Sequence, residues 1–410
     1  MVGIMIGGFL SGLLSDRFGR KTTSLGASIG LLVFGLATAA SPSIEVFTFL
    51  RCCVAICAVS LFMCGYVYCM EVVGGKAATV VGIGLEYPWS FTLMILPPLS
   101  WLFPVWHHLQ LAISAPVLVI VIMLAIPGLV PESPRWLLAR GKVETANKIL
   151  DSISRCNGRE VKDVEKMPNH KEAKQLGDQP VGNILDIFRN RSILRSSLIM
   201  YYLFFTNSLV YYGLTLNSGS AIPGNIHYNM IVSGALEILS NSLALIFLLY
   251  MGRKNSTSIL MAVAGLTLLL VPIVSSAMVK VVLAQIGRAA IHGSFIMLLV
   301  YLVELLPTVV RNAGVGSTCV WARVAGIMAP YMGRELSRMD PRAPLFIFGI
   351  LSLVAAMLVL LLPETKGARL PDTIEEGEKF HKENGGLKLE FRHSKMKEDL
   401  PKLEPLIEKS

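Results

Sequence analysis

Long apolar runs, separated by short polar breaks, set the pattern of this chain. Ten runs of 18 residues or more occur, at 23–43, 44–70, 79–103, 109–130, 193–215, 227–250, 257–279, 281–303, 313–333 and 344–362. A helix of this length crosses a hydrocarbon core of roughly 30 Å. An eleventh run, 1–14, is too short to cross alone. The pattern predicts an all-α polytopic membrane protein with ten complete spans and one partial span.

Composition and charge support this class. Hydrophobic residues make up 53% of the chain and charged residues 16%, whereas soluble domains average about 25% charged residues. Most Lys and Arg lie in alternate loops: Arg17 to Lys21, the polar segment 131–192, Arg253 with Lys254, and the tail after Pro363. By the positive-inside rule, these loops and the tail are cytoplasmic. A nucleic-acid-binding arm would not alternate with apolar spans, so we expect the lipid bilayer, and no nucleic acid, as a partner.

An internal repeat divides the chain into two halves. Three features recur at an offset of 232 or 233 residues: Gly19-Arg20-Lys21 as Gly252-Arg253-Lys254, Glu71 as Glu304, and the motif beginning at Pro131 as that beginning at Pro363. Parallel repeats of this kind form transporters whose halves face each other across a central site. The second half has two spans before its Gly-Arg-Lys, whereas the first has one partial span. We therefore expect two six-helix bundles with the first helix missing.

The same pattern gives the domain boundaries. We predict a truncated N-terminal transmembrane bundle at 1–130, a cytoplasmic linker at 131–192, a C-terminal bundle at 193–365 and a cytoplasmic tail at 366–410. The chain contains no phosphate-binding loop, no dinucleotide glycine motif, no nucleophile elbow and no paired metal ligands. We therefore expect neither an enzyme nor a bound cofactor or metal.

Several motifs resemble one superfamily of transporters. The stretch "GLLSDRFGRK" at 12–21 resembles the signature of the major facilitator superfamily. "PESPRWLLARGK" (131–142), "VYYGLTLN" (210–217), "ELLPTVVRNAGVG" (304–316) and "PETKG" (363–367) together resemble its organic cation, carnitine and organic anion transporters, also called solute carrier family 22. The resemblance covers residues 1 to about 373 and implies transport of small organic ions by alternating access.

The resemblance also implies a cytoplasmic charge network, closed in the outward-facing state and broken in the inward-facing one. Its candidate members are Asp16, Arg17, Arg20, Glu71, Glu132, Arg135, Glu304, Arg311 and Glu364. Asp16 in particular would face the positive end of a neighbouring helix. The alternative is that these residues are only flanking charges that set topology.

Ionisable residues within the spans are candidates for substrate binding, because each costs about 2.5–3.5 kcal/mol near a helix centre. Glu237, Arg288 and Arg323 lie in this position, with Arg51 and Glu86 nearer span ends. The resemblance singles out Arg323, because relatives that carry simple cations have Asp there and those that carry anions or zwitterions have Arg. An Arg fork holds a carboxylate in bidentate fashion. Alternatively, each Arg is paired structurally with Glu237 or a backbone carbonyl.

Aromatic residues of run 193–215 are candidates for binding an ammonium group. Tyr201, Phe204, Phe205 and Tyr212 share one helical face, while Tyr211 is expected to face elsewhere. Rings around an ammonium contribute about 0.5–2 kcal/mol each through cation–π attraction. The alternative is an interfacial aromatic belt with ordinary helix packing.

These features predict a plasma-membrane transporter of small organic ions, preferably carnitine-like zwitterions or cations. A coupling ion, Na⁺ or H⁺, is left open, with Glu86 and Glu237 as its candidate sites. Two alternatives also stay open: a uniporter resembling the sugar porters, and a truncated isoform that does not transport.

Overall fold

The computed structural model describes residues 1–73, 81–82, 84–156, 187, 189–216, 225–366 and 384 back to 374. Parts of the predicted linker (157–186 and 188) and of the predicted tail (367–373 and 385–410) lie outside the described residues. Everything said below about structure concerns the described part, in which every regular element is a helix.

Five long helices precede the linker. They are α1 (Val2–Phe18), α2 (Arg20–Ala39), α3 (Ile44–Val72), α4 (Tyr87–Leu102) and α5 (Trp106–Ala125). Two shorter helices follow within the linker, α6 (Pro134–Ala139) and α7 (Val143–Cys156). The partial run at the start is thus a helix of 17 residues that continues through Asp16 to Phe18.

Six long helices follow the linker, and a short one lies in the tail. They are α8 (Arg191–Leu216), α9 (Ile226–Tyr250), α10 (Arg253–Leu270), α11 (Ala277–Leu305), α12 (Thr308–Met339), α13 (Ala343–Val359) and the tail helix α14 (Ile374–Asn384). The predicted run 257–279 is too long at its end, because the chain turns at Val271–Ile273, next to Pro272, and α11 begins at Ala277.

Six of these helices, α2, α3, α5, α8, α9 and α11, are long and apolar enough to cross a membrane, and α13 is apolar but shorter. The predicted all-helical fold, with five long helices before the linker and six after it, agrees with this part of the chain. Among the described residues, α8 is the most enclosed of the six, since it packs against α11, α12 and α13.

Small residues allow α1 to approach α3 closely. Gly3, Gly7, Ser11 and Ser15 form the buried face of α1. A Cβ atom at Gly7 would lie 2.5 Å from the carbonyl oxygen of Ile56, so only glycine permits this contact. Small residues are the usual means by which membrane helices pack.

Contacts between the two halves include two helix pairs. Helix α4 packs along α9, with Tyr87 Oη 2.9 Å from Ser242 Oγ and Ser100 Oγ 3.3 Å from His227 Nδ1. Helix α1 meets α12 where Met1 lies against Gly326. These pairs join the two sets of helices whose boundaries the repeat predicts.

Candidate functional site

A fully buried ion pair lies between α9 and α11. Nη2 of Arg288 is 3.3 Å from Oε1 of Glu237, and the two side chains are 2% and 0% exposed. Nη1 of Arg288 donates to Ser233 Oγ at 3.0 Å, and Tyr211 Oη donates to the same Glu237 Oε1 at 3.2 Å. For Arg288, the alternative of a structural pairing with Glu237 is therefore what the fold shows.

The first half reaches this pair through one residue of α4. Nε1 of Trp89 donates to Tyr211 Oη at 2.8 Å, and the Arg288 guanidinium carbon lies 5.6 Å from the Tyr211 ring centre. The expectation that Tyr211 faces away from the site is therefore wrong. A helical wheel of α8 alone does not reveal that α9 packs on the Tyr211 side.

A histidine completes the cluster. Nδ1 of His292 is 3.9 Å from Oε2 of Glu237, and its ring centre is 5.8 Å from that of Tyr211. Glu237 Oε2, Arg288 Nε and His292 Nε2 are buried without a hydrogen-bond partner among the described residues. Buried polar atoms are normally paired, so these three mark a place where a polar ligand or water would gain bonds.

The predicted aromatic residues occupy different environments. Tyr201 is hydrogen-bonded to Ser317 at 2.8 Å and stacks on Trp321. Phe204 is packed in the core and meets Phe295 edge-on, so it lines no open space in this conformation. Phe205 and Tyr212 are half-buried. Three of the four predicted rings therefore stay at least near an accessible or polar contact.

Arg323 differs from Arg288 in having no protein anion beside it. Its side chain is half-buried on α12, and among the described residues no hydrogen bond or ion pair is recorded for its guanidinium group. Gly326, one turn further on the same face, lies against both Tyr212 and Met1. Arg323 therefore lies on the side of α12 that faces α8 and the first half.

Arg51 and Glu86 lie apart from this cluster. Arg51 lies over the Phe47 ring at 5.2 Å and lines a cavity of about 480 Å³ formed with Trp106 and Gln110. Glu86 is the half-buried residue just before α4.

The inner end of the first half is held by Arg20. Its guanidinium group donates to both carboxylate oxygens of Glu71, at 2.8 to 3.1 Å, and its backbone N–H donates to Glu132 Oε1 at 2.8 Å. The Ser133 hydroxyl donates to Glu71. These contacts join the start of α2, the end of α3 and the start of the linker.

The second half repeats this arrangement atom for atom. Arg253 donates to both oxygens of Glu304 at 2.8 and 2.9 Å, and its backbone N–H donates to Glu364 Oε1 at 3.0 Å. Thr365 Oγ1 donates to Glu304 at 2.6 Å, as Ser133 does to Glu71. The structure therefore brings Arg20, Glu71 and Glu132 together, and separately Arg253, Glu304 and Glu364.

A tyrosine pair that sequence reasoning missed follows the same offset. Tyr68 Oη donates to the Pro131 carbonyl at 3.0 Å, and Tyr301 Oη donates to the Pro363 carbonyl. The two tyrosines are 233 residues apart, so extending the repeat comparison into the spans would have found them.

The other predicted members of the network are peripheral. Asp16 is 75% exposed and pairs with Arg20 Nη1 at 3.0 Å, so no neighbouring helix end receives it in this conformation. Arg17 lies over the Phe18 ring, and Arg311 Nε donates to the Leu306 carbonyl at 3.4 Å. Arg135 is exposed.

Two linker residues cap α1 in place of these charges. Trp136 Nε1 donates to the Asp16 carbonyl at 2.9 Å, and Arg140 Nη2 donates to the carbonyls of Asp16 and Arg17 at 2.8 and 3.1 Å. The last carbonyls of a helix lack partners within it, so these donors satisfy them. Both lie in the motif at 131–142, which sequence analysis used only for the resemblance.

Replacing Gly19 by alanine should destabilise the protein by about 1–3 kcal/mol, the usual cost of a strained backbone conformation. Gly19 has φ +101°, and an added Cβ atom would lie 2.4 Å from Glu132 Oε2. Thermal unfolding in detergent measures the loss. Gly26→Ala is the control, because nothing lies within 4 Å of its Cβ position. An equal melting temperature for Gly19→Ala and wild type would contradict the geometry.

Comparison with known proteins follows the same lines. The sugar (and other) transporter family matches residues 1–376. "Organic cation transporter protein" of Drosophila melanogaster is 34% identical over 391 residues, which cover 93% of this chain and 70% of that protein. "Organic cation/carnitine transporter 2" of Homo sapiens is 32% identical, covering 92% of this chain and 67% of that protein.

The fold is similar to that of a solved transporter. The inward-open structure of the xylose transporter XylE from E. coli superposes with a TM-score of 0.71, covering 92% of this chain and 86% of that one. The two sequences are 19% identical, so the likeness concerns the fold.

Proposed function

The chain belongs to the sugar (and other) transporter family of the major facilitator superfamily, and we propose that it carries small organic ions by alternating access. Its relatives include organic cation and carnitine transporters. It is therefore a multi-pass membrane transporter and not an enzyme. We further propose that it prefers carnitine-like zwitterions or cations, acts in the plasma membrane and has its C-terminus in the cytoplasm.

The charge state of the two buried arginines carries the substrate proposal. Arg288 is neutralised by Glu237, whereas among the described residues no anion is paired with Arg323. An unneutralised guanidinium within a membrane span is costly and is stabilised by a carboxylate that its two parallel N–H groups can hold. Arg323 is therefore the proposed anchor for a substrate carboxylate.

Rings near Arg323 are the proposed seat for the ammonium end. Tyr201 and Trp321 stack with ring centres 6.2 Å apart, and Tyr212 lies against Gly326, one turn from Arg323. The faces of aromatic rings attract ammonium groups. A short zwitterion thus finds a cation and aromatic faces along the α8 side of α12.

Replacing Arg323 by aspartate should reverse the preference of the site. Hydrogen bonds to a charged group contribute about 1.5–3 kcal/mol, so carnitine uptake should fall about tenfold to a hundredfold. Uptake of tetraethylammonium, which has no carboxylate, should hold or rise. Radiolabelled uptake into proteoliposomes measures both substrates.

The control for this experiment is Arg338→Asp. Arg338 lies on the same helix, exposed, and pairs only with Glu335 at 3.0 Å among the contacts described. Its replacement should leave both uptakes within twofold. An equal loss of carnitine and tetraethylammonium uptake in Arg323→Asp would contradict the charge assignment.

A sugar uniporter is the second candidate, because the solved structures of similar fold include a xylose transporter. Competition of labelled carnitine uptake by unlabelled carnitine, glucose or xylose distinguishes the two. Competition by a sugar alone would favour the second candidate.

A further inference from the structure

One carboxylate in the buried cluster faces two basic side chains. Oε1 of Glu237 accepts from Arg288 at 3.3 Å and from Tyr211 at 3.2 Å. Oε2 faces Nδ1 of His292 at 3.9 Å, which is too long for a hydrogen bond. Oε2 also has no hydrogen-bond partner among the described residues. Glu237 is therefore engaged through one oxygen and turns its other oxygen towards a histidine.

The charges of the cluster balance only while no further anion is bound. Arg288 and Glu237 cancel each other, and an unpaired charge in a desolvated site is strongly disfavoured. A substrate carboxylate that reaches the unpartnered Nε of Arg288 leaves the site with one excess negative charge. A proton on Nδ1 of His292 removes that charge and gives Oε2 a hydrogen-bond donor.

We propose that His292 binds one proton from water together with each carboxylate-bearing substrate, so that transport of such substrates is coupled to H⁺. The inference rests on the proposed function and names its coupling ion. Arg288 and His292 are one turn apart on α11 and both face Glu237. Glu237 thus pairs with Arg288 in the empty site and with protonated His292 in the loaded one. No covalent bond other than N–H forms or breaks.

The titratable and charged neighbours of His292 are few in the described part of the chain. Helix α9 presents Glu237, α8 presents Tyr211, and α11 itself carries Arg288. The first turn of α10 carries Lys254, and the middle of α12 carries Cys319 and Arg323. Among these groups, a recorded ion pair or ring contact joins His292 to Glu237 and Tyr211.

Calorimetry of ligand binding to the purified protein tests the proposal. L-carnitine and tetraethylammonium are titrated in buffers of different ionisation enthalpy, and the dependence of the heat on the buffer gives the protons bound. We expect about one proton per carnitine and none per tetraethylammonium. Since the protonated site binds carnitine, its Kd should rise with pH, approaching tenfold per pH unit once His292 is neutral in the empty protein.

Two variants complete the test. His292→Gln should bind no proton with carnitine and lose the pH dependence of Kd. His227→Gln is the matched control, because His227 contacts Ser100 between α9 and α4 and should behave as wild type. The wild-type measurement decides the matter even if His292→Gln does not fold.

Each outcome separates this inference from the proposed function. Carnitine binding without proton uptake by the wild type, or with unchanged proton uptake by His292→Gln, overturns the inference and leaves the proposed function standing. Binding of neither carnitine nor tetraethylammonium overturns both.

Discussion

Replacing Glu237 by leucine should lower the free energy of unfolding by about 3–5 kcal/mol, the usual cost of removing one partner of a buried ion pair. The change leaves the Arg288 guanidinium, 2% exposed, without a counter-charge. Tyr211 also loses the carboxylate that its hydroxyl contacts. Thermal and chemical unfolding in detergent, followed by tryptophan fluorescence, measures the loss.

A second substitution distinguishes stability from function. Glu237→Leu combined with Arg288→Met replaces the ion pair by apolar side chains, which is often neutral or stabilising. The double variant should regain most of the lost stability while its carnitine transport stays impaired. Glu335→Leu is the control, because its pair with Arg338 is at least 60% exposed and should change stability by less than about 1 kcal/mol. A stable single variant would contradict the buried charge.

The helices could be predicted because membrane solvation leaves little choice. Backbone groups in lipid must bond within their own segment, so each long apolar run becomes a helix. The ends are harder, as the run 257–279 shows. Its apolar residues continue through Val271 to Val274, but the chain turns there, next to Pro272, and hydropathy does not register a turn made of apolar residues.

The charge pairs at the inner ends could also be predicted, although their partners could not. The offset of 233 residues identified Arg20, Glu71 and their counterparts, because a repeated fold repeats its ion pairs. Which of the nearby charges join them depends on distances that sequence does not contain. Asp16 is exposed while Trp136 and Arg140 cap α1, since the linker folds back over the end of that helix.

The buried cluster was predicted in part for a similar reason. Insertion cost alone identified Glu237 and Arg288 as unusual, and their pairing was one of two alternatives. Tyr211 and His292 join them only because α8, α9 and α11 meet at that level. Phe204, predicted on the same face as Tyr201, is instead packed in the core, because the neighbouring helices enclose most of α8. The family and transporter class are confirmed, whereas the roles of these residues stay proposals.

Replacing Arg253 by alanine should destabilise the second half by about 2–5 kcal/mol, the range for truncating one partner of a buried, hydrogen-bonded charge pair. Two charge-assisted hydrogen bonds to Glu304 disappear, and this carboxylate, 17% exposed, keeps Thr365 as its donor. Arg20→Ala should cost a similar amount, because Arg20 and Glu71 make the same bonds in the first half.

The equality of the two losses is the sharper part of this prediction, because it tests the repeat as well as the pair. Unfolding of Arg20→Ala, Arg253→Ala and the double variant should show costs that are similar and additive, since each network lies within its own half. Lys366→Ala removes an exposed donor to the Tyr250 carbonyl and serves as the control near the second network. Transport should fall in both arginine variants, because alternating access needs inner ends that hold together as units. A large loss for one arginine and none for the other would mean that the repeated geometry does not carry repeated energy.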